Sequence, residues 1–189
     1  MKKIASLVIL AIMIILAFII FKFNDGEKTI EKAISSSNPI KIIYEEKADK
    51  GSIVFYTTKD WNDFSTCFVR KTFNVYKYIY GGTGDVRVSA KKFGFSYAYY
   101  PNIEKTPFPI YFGIIGNPEI KKIKVIEKKR NIEGEAKIIN AKDERIWLMY
   151  MNKFQGSDFE IIGLSADGKE LIRIKDNISP WYAEQKPLK

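Results

Sequence analysis

Residues Ile4 to Phe21 form a run of 18 in which only Ser6 is not apolar. Coiled as an α-helix the run is about 27 Å long, close to the roughly 30 Å hydrocarbon core of a bilayer. It has no polar stripe that a soluble helix could turn to water. Residues 1–23 therefore read as a transmembrane anchor, and the chain is expected at the cell membrane as a single-pass protein. A cleaved signal peptide is the competing reading. It needs a shorter apolar region followed by small residues, and Phe21-Lys22-Phe23-Asn24-Asp25 supplies neither. No cysteine comes before Cys67, which is too late for a lipid anchor. Lys2 and Lys3 on the short side favour a cytoplasmic N-terminus and an extracytoplasmic bulk. Lys22, Lys28 and Lys32 beyond the other end weaken that asymmetry.

Absent residue types narrow the chemistry. The 189 residues include no His and one Cys. A Ser-His-Asp triad, His-ligated zinc, an internal disulfide and a Cys-rich metal cluster are all excluded. No cofactor and no metal is expected. The formal charge is +9, from 31 Lys+Arg against 22 Asp+Glu. The basic residues interleave with acids and are mostly Lys, a hydrated point charge. Nucleic-acid binders gather theirs on one helix or stripe, so nucleic acid is not an expected partner.

Beyond the anchor the chain is rich in residues that suit pleated surfaces, with 11 Tyr and 13 Phe beside frequent Val and Ile. One short helix is expected over Glu27–Ser37, its apolar face made by Ile30, Ala33 and Ile34, ended by Asn38-Pro39. Strands follow over Ile40–Glu46, Ser52–Thr58, Phe64–Thr72 and Val75–Tyr80, the first two joined by a turn at Ala48-Asp49-Lys50-Gly51. Gly81 to Asp85 reads as a loop, and Val86–Tyr100 as one or two more strands around Gly94. Residues 24–105 thus read as a helix covering an antiparallel meander. Thr106-Pro107-Phe108-Pro109 breaks the rhythm as a linker or sheet edge. Six short strands follow, around Ile110–Ile115, Ile123–Val125, Glu135–Ile139, Arg145–Met151, Phe159–Ile161 and Ile172–Ile174. They read as a small immunoglobulin-like β-sandwich over 106–176, without the Cys-Trp-Cys pattern of antibody domains. Residues 177–189 are a polar tail. The fold class is mainly β (α+β).

Few residues offer chemistry. Gly81-Gly82-Thr83-Gly84-Asp85 lacks the helix and the Lys-Ser/Thr that a phosphate cradle requires, and reads as an inter-strand loop. Glu45 and Glu46 are adjacent on a strand and point to opposite faces, so they cannot flank one bond. Asp60 and Asp63 with Trp61 are too few oxygen donors for a calcium loop. Cys67 has no His to activate it and sits in an apolar strand. Two features point to contact with a ligand. Tyr76, Tyr78 and Tyr80 share a strand face and, with Tyr97, Tyr99 and Tyr100, form a platform for glycan or peptide; the same residues also serve to close a sheet face. Lys121, Lys122, Lys124, Lys128, Lys129 and Arg130 are the densest basic stretch, suited to wall polymers or lipid headgroups, or to a solvated strand face.

Three segments taken together resemble a known group: Ile43-Tyr44-Glu45-Glu46 through Tyr56, Phe68-Val69-Arg70-Lys71-Thr72 through Gly82, and Thr106-Pro107-Phe108-Pro109-Ile110-Tyr111-Phe112-Gly113. They are similar to uncharacterised membrane-anchored extracytoplasmic proteins of Gram-positive, bacillus-like bacteria. That resemblance implies a location at the bacterial cell envelope and brings no catalytic residues with it. The expected function is a binding protein, more an interaction module than an enzyme, contacting anionic envelope polymers or an envelope protein. From Lys22 onward 29 Lys+Arg stand against 22 Asp+Glu, which suits an anionic partner. A carboxylate-dependent enzyme on envelope glycans and an accessory or sensor subunit of a membrane complex are the alternatives.

Overall fold

The computed structural model describes residues 2–24, 26–35, 37–58, 63–84 and 86–179. The chain is mainly β, with three four-stranded antiparallel sheets and few helices. It divides between Gly82 and Thr83 into two compact units.

The first unit opens with helix α1, Lys2–Asn24. Among the described residues no helix is long and apolar enough to cross a membrane. On α1 the described side chains run from Leu7 to Ile20, all exposed, and that stretch is about 21 Å of helix. Helix α2 is shorter than its sequence suggests, Ile30–Ile34 rather than Glu27–Ser37. Glu27 is taken instead by a β-bridge to Tyr76. Thr29 is extended, and its hydroxyl caps the helix by accepting from the Lys32 N–H at 3.3 Å. Ile30, Ala33 and Ile34 pack on Val54, Tyr56, Cys67 and Val69, as their spacing requires.

Under α2 lies the meander β1-β2-β3-β4: β1 Ile40–Ala48, β2 Gly51–Thr58, β3 Phe64–Thr72 and β4 Val75–Gly84. Val54, Tyr56, Cys67 and Val69 face the helix. Ile53, Phe55 and Phe68, at the alternate positions, are fully buried on the other face. The turns place Lys50 and Phe73 at positive φ, 60° and 53°. Gly81 and Gly82, read as a loop, continue β4. A Cβ on Gly81 would lie 2.4 Å from both the Cys67 Cβ and the Thr66 carbonyl oxygen, so glycine here permits close approach of two strands rather than a loose turn.

The second unit begins with a correction. Val86–Tyr100 is not strand throughout but helix α3, Val86–Phe93, followed by strand β5, Ala98–Tyr100. Val86, Val88 and Ala90 satisfy a period of two, which suggests a strand. Only Val86 and Ala90, one helical turn apart, are buried, and Val88 is 59% exposed. The expected boundary at 105/106 also moves. β5 pairs with β6, Ile110–Ile114, and Phe95 enters the second core, so residues 83–105 belong here. The remaining strands are β7 Lys122–Glu127, β8 Ile132–Glu135, β9 Lys137–Ala141, β10 Glu144–Tyr150, β11 Asp158–Leu164 and β12 Glu170–Asn177. They form two sheets, β5-β6-β10-β9 and β12-β11-β7-β8. The single strand expected around Glu135–Ile139 is two, β8 in one sheet and β9 in the other. The chain crosses at Ala136, whose N–H donates to the Ile123 carbonyl at 2.8 Å.

Tyr111, Trp147 and Met149 from one sheet meet Ile123, Val125, Phe159 and Ile161 from the other, the arrangement of a β-sandwich. The indole N–H of Trp147 donates to the Ser96 carbonyl at 2.8 Å, so the largest core side chain leaves no buried donor unmet.

Candidate functional site

Alternation along β7 determines the fate of the basic stretch. Ile123, Val125 and Glu127 point inward, while Lys122 and Lys124 point outward. Lys122 pairs with Glu135 at 4.0 Å and Lys124 with Glu133 at 3.2 Å, both across to β8. Lys121 precedes the strand and is exposed. These three form a solvated strand face with its charge largely balanced. Lys128, Lys129 and Arg130 lie instead on the β7–β8 turn, and there the structure builds something more specific.

Glu127 sits at core parity with 1% of its surface exposed. A carboxylate so placed must be fully coordinated. Arg130 provides a fork: its Nε donates to Oε1 at 2.6 Å and its Nη2 to Oε2. The Gln155 N–H adds a third bond to Oε2 at 3.1 Å. Arg130, with help from the Gln155 and Gly156 backbone, holds the Glu127 carboxyl down at about 2. Gly156 allows the loop to close over the carboxylate, since a Cβ there would lie 2.6 Å from Oε1.

Two concavities of about 540 and 550 Å3 open beside this clamp and share Lys129 and Asp158. The first is lined by Glu127, Arg130, Gln155 and Ile178, the second by Phe159, Lys175, Asp176 and Asn177. Every acid along them is engaged. Asp158 accepts from the Asn177 amide at 2.6 Å. Asp176 accepts from the Tyr97 hydroxyl at 3.2 Å and the Tyr111 hydroxyl at 2.5 Å. Burial first, then this carboxylate, pushes the Tyr97 and Tyr111 phenols above their ordinary value. Lys128 reaches Glu160 at 3.0 Å. Lys129 and Lys175 have no ion pair among the described residues, and with four basic and three acidic side chains the lining carries a small positive excess.

The tyrosine platform does not assemble as its spacing suggests. Tyr76, Tyr78 and Tyr80 lie on β4 of the first unit, whereas Tyr97, Tyr99 and Tyr100 belong to the second. Tyr76 packs in the α2-covered core, with the Lys71 ammonium 5.5 Å from its ring centre. Tyr78 is 38% exposed, with its hydroxyl pushed up to about 12, chiefly by burial. Tyr80 is half-buried. Tyr97 and Tyr99 pack tilted against Tyr111 with ring centres 6.2 and 5.1 Å apart, and Tyr100 packs edge-on against Phe112 at 4.8 Å.

The remaining candidates separate clearly. Glu45 and Glu46 do face apart: Glu45 accepts from Ser52 at 2.6 Å and Glu46 from Tyr44 at 2.8 Å. Cys67 is fully buried, and burial pushes its thiol up to about 12. A helix does follow Gly84, contrary to the sequence reading, yet Gly81 and Gly82 are committed to β4. Asp60 and Trp61 lie outside the described residues. Among the described residues no three His, Cys, Asp or Glu gather to hold a metal. Glu127, Asp158, Lys175 and Asp176 complete the groove and are absent from the sequence candidates. Glu127 did carry a signal, as an acid at the inward parity of an apolar strand with Arg three residues on. No family model, no curated protein and no solved structure matches the chain.

Proposed function

We propose that this chain is a membrane-anchored, extracytoplasmic binding protein that contacts an anionic envelope polymer through the Lys129–Lys175 groove. The observation that carries the reading is the charge balance of that groove. Its lining carries four basic side chains against three carboxylates. Glu127 is paired with Arg130, Asp158 and Asp176 are held by neutral donors and keep their charge, and Lys129 and Lys175 have no ion pair among the described residues. Two lysines at the wall of a concavity attract a polyanion without binding it covalently.

Two further elements belong to the proposal. The apolar run of α1 serves as the anchor, supported by the 18 residues from Ile4 to Phe21 and by the exposure of Leu7 to Ile20. The second unit is immunoglobulin-like. Numbered along this unit, its sheets run 1-2-6-5 and 8-7-3-4, which corresponds to ABED opposite GFC with an added C′. In that fold ligands are commonly met by turns at the ends of the sandwich, where the Lys128–Asn131 turn lies.

A glycan-cleaving enzyme is the weaker reading. A general acid needs a carboxyl pushed upward, and Glu127 is held in the opposite direction. The test is sedimentation of the detergent-solubilised full chain with cell-wall sacculi, with and without their anionic polymers, across a salt series. The reading expects binding that needs the polymers, falls steeply with salt and drops on Lys129→Ala with Lys175→Ala. Binding indifferent to polymer, salt and both lysines would refute it.

A further inference from the structure

The first unit carries a concave surface of its own, about 570 Å3, at the end of the sheet where both hairpins turn. Lys47 and Lys50 approach it from the β1–β2 hairpin, and Lys71, Phe73 and Tyr76 from the β3–β4 hairpin. Phe73 is the unusual member. It is 58% exposed and occupies the left-handed region at φ 53°. Asn or Gly takes that conformation with less strain, so a large apolar side chain there requires a reason outside the turn.

The charge around it is open. Lys47 has no ion pair among the described residues. Lys50 meets only its neighbour Asp49, at 3.7 Å, with 71% and 89% of the two side chains exposed, a pair that water and salt largely screen. Lys71 stands over Tyr76. Glu45, the acid in the lining, accepts the Ser52 hydroxyl.

Position then decides the partner. Glu27 and Tyr76 exchange both backbone hydrogen bonds, at 2.8 and 2.7 Å. Only two residues separate Glu27 from Asn24, the last residue of α1. Three Cα steps reach at most about 11 Å, and Phe73, in the turn before β4, is likewise three steps from Tyr76. With about 5.5 Å across the Glu27–Tyr76 pair, the Lys–Phe surface is therefore tethered within roughly 27 Å of the helix end, whatever angle the helix takes.

We propose that this surface rests on the leaflet from which α1 emerges, with Phe73 in the interfacial layer and Lys47, Lys50 and Lys71 against anionic lipid headgroups. The proposal rests on the anchor reading of α1. Surfaces that lie in the interface present Lys or Arg beside apolar residues such as Phe, and each ammonium near an anionic surface adds attraction. Docking of this kind would hold the first unit at the bilayer and so set how far into the envelope the second unit can reach.

The test uses the full chain reconstituted into vesicles of phosphatidylcholine alone or mixed with phosphatidylglycerol. Phe73→Cys carries an environment-sensitive fluorophore; the native Cys67 is fully buried and resists labelling. Lys41→Cys is the reference, exposed on β1 and paired with Thr57 toward the opposite end of the sheet. The Phe73→Cys probe is expected to shift to the blue in anionic vesicles and to revert in 1 M salt, while the Lys41→Cys probe stays aqueous. Lys47→Ala and Lys71→Ala should each lower the docked-to-free ratio roughly five-fold. Amine acetylation of the unmodified chain reads the same contact with Phe73 in place: Lys47, Lys50 and Lys71 should be protected in anionic vesicles only. Vesicles that float with the protein while position 73 stays aqueous and the lysines react freely overturn the docking and leave the anchor standing. Equal signals in both lipid compositions overturn the assignment to anionic headgroups. A chain that does not float with vesicles overturns the anchor and the docking together.

Discussion

Alkaline pH should weaken the first unit, and the Cys67 sulfur is the part of that loss one substitution can isolate. The side chain has no exposed surface, and burial raises its thiol from 9.0 to about 12. In the unfolded chain the thiol ionises near its ordinary value, whereas in the folded chain it stays protonated. Its contribution to stability is complete below pH 9 and is lost as pH rises toward 12. At pH 10.5 the unfolded thiol is about 1.5 pH units past its midpoint, which costs the native state about 2 kcal/mol. The perturbation is Cys67→Ala, which removes the titrating group and leaves a small cavity that costs the same at every pH. Urea unfolding of the full chain in mild detergent, followed by circular dichroism at pH 8 and pH 10.5, gives both slopes. Wild type should lose about 2 kcal/mol more than Cys67→Ala between the two conditions. Tyr56 and Tyr78, raised chiefly by burial and then by the thiol, are present in both proteins, and the thiol acts on them little at pH 10.5 because in the folded chain it is still protonated. Equal losses in the two proteins would refute the reasoning, because a thiol held neutral by burial must show this linkage.

Acid acts oppositely on the second unit. The Glu127 carboxyl is lowered from 4.5 to about 2, so its contribution is present above pH 4.5 and lost as pH falls through 2; Glu127→Gln should flatten the acid limb of a stability–pH profile measured by circular dichroism. Tyr111→Phe leaves the Asp176 carboxylate with one phenol donor and should cost about 1.5–3 kcal/mol, read as a lower urea midpoint with unchanged slope. Gly113→Ala should be more damaging, roughly 4 kcal/mol or beyond, since the new Cβ would lie 2.0 Å from the Ser96 carbonyl oxygen and 2.7 Å from the Trp147 Nε1; loss of soluble full-length protein, with Gly84→Ala in open space as the mild comparison, checks it.

Much of the strand pattern is legible in the residues. Phe64–Thr72 alternates with a period of two and is β3 at both ends. The turn residues Asp49-Lys50 separate two apolar runs that pair as β1 and β2. The segment 83–105 is not legible in the same way. Val86, Val88 and Ala90 fit a strand as well as a helix, and only packing against the second core, with Arg87 paired to Glu144 at 2.7 Å, selects the helix. The division at Ala136 also escapes local reading. β8 pairs back with β7 and β9 pairs forward with β10, and no turn residue marks the change of sheet at Ala136 between them.

The candidate site shows the same division. The turn Lys128-Lys129-Arg130 stands out as charge, but charge alone does not say which lysines remain available. That depends on Glu160 and Glu133 reaching across from neighbouring strands. Tyr76, Tyr78 and Tyr80 share a parity, as do Tyr97 and Tyr99, yet parity orders residues only within one sheet, and these two groups belong to different units.

By itself the sequence determined the apolar N-terminal run, the mainly β class, the absence of imidazole and disulfide chemistry, and the meander of the first unit. Each follows from composition or from contacts between residues near in the chain, where period and turn chemistry act directly. Tertiary structure alone decided that Glu127 is a buried, clamped carboxylate, that Asp176 anchors two phenols, and that Lys129 and Lys175 face a shared groove without acid partners. These depend on segments distant in sequence that meet within one sheet or across the sandwich, and the register that joins them is set by the packing of the whole sandwich core.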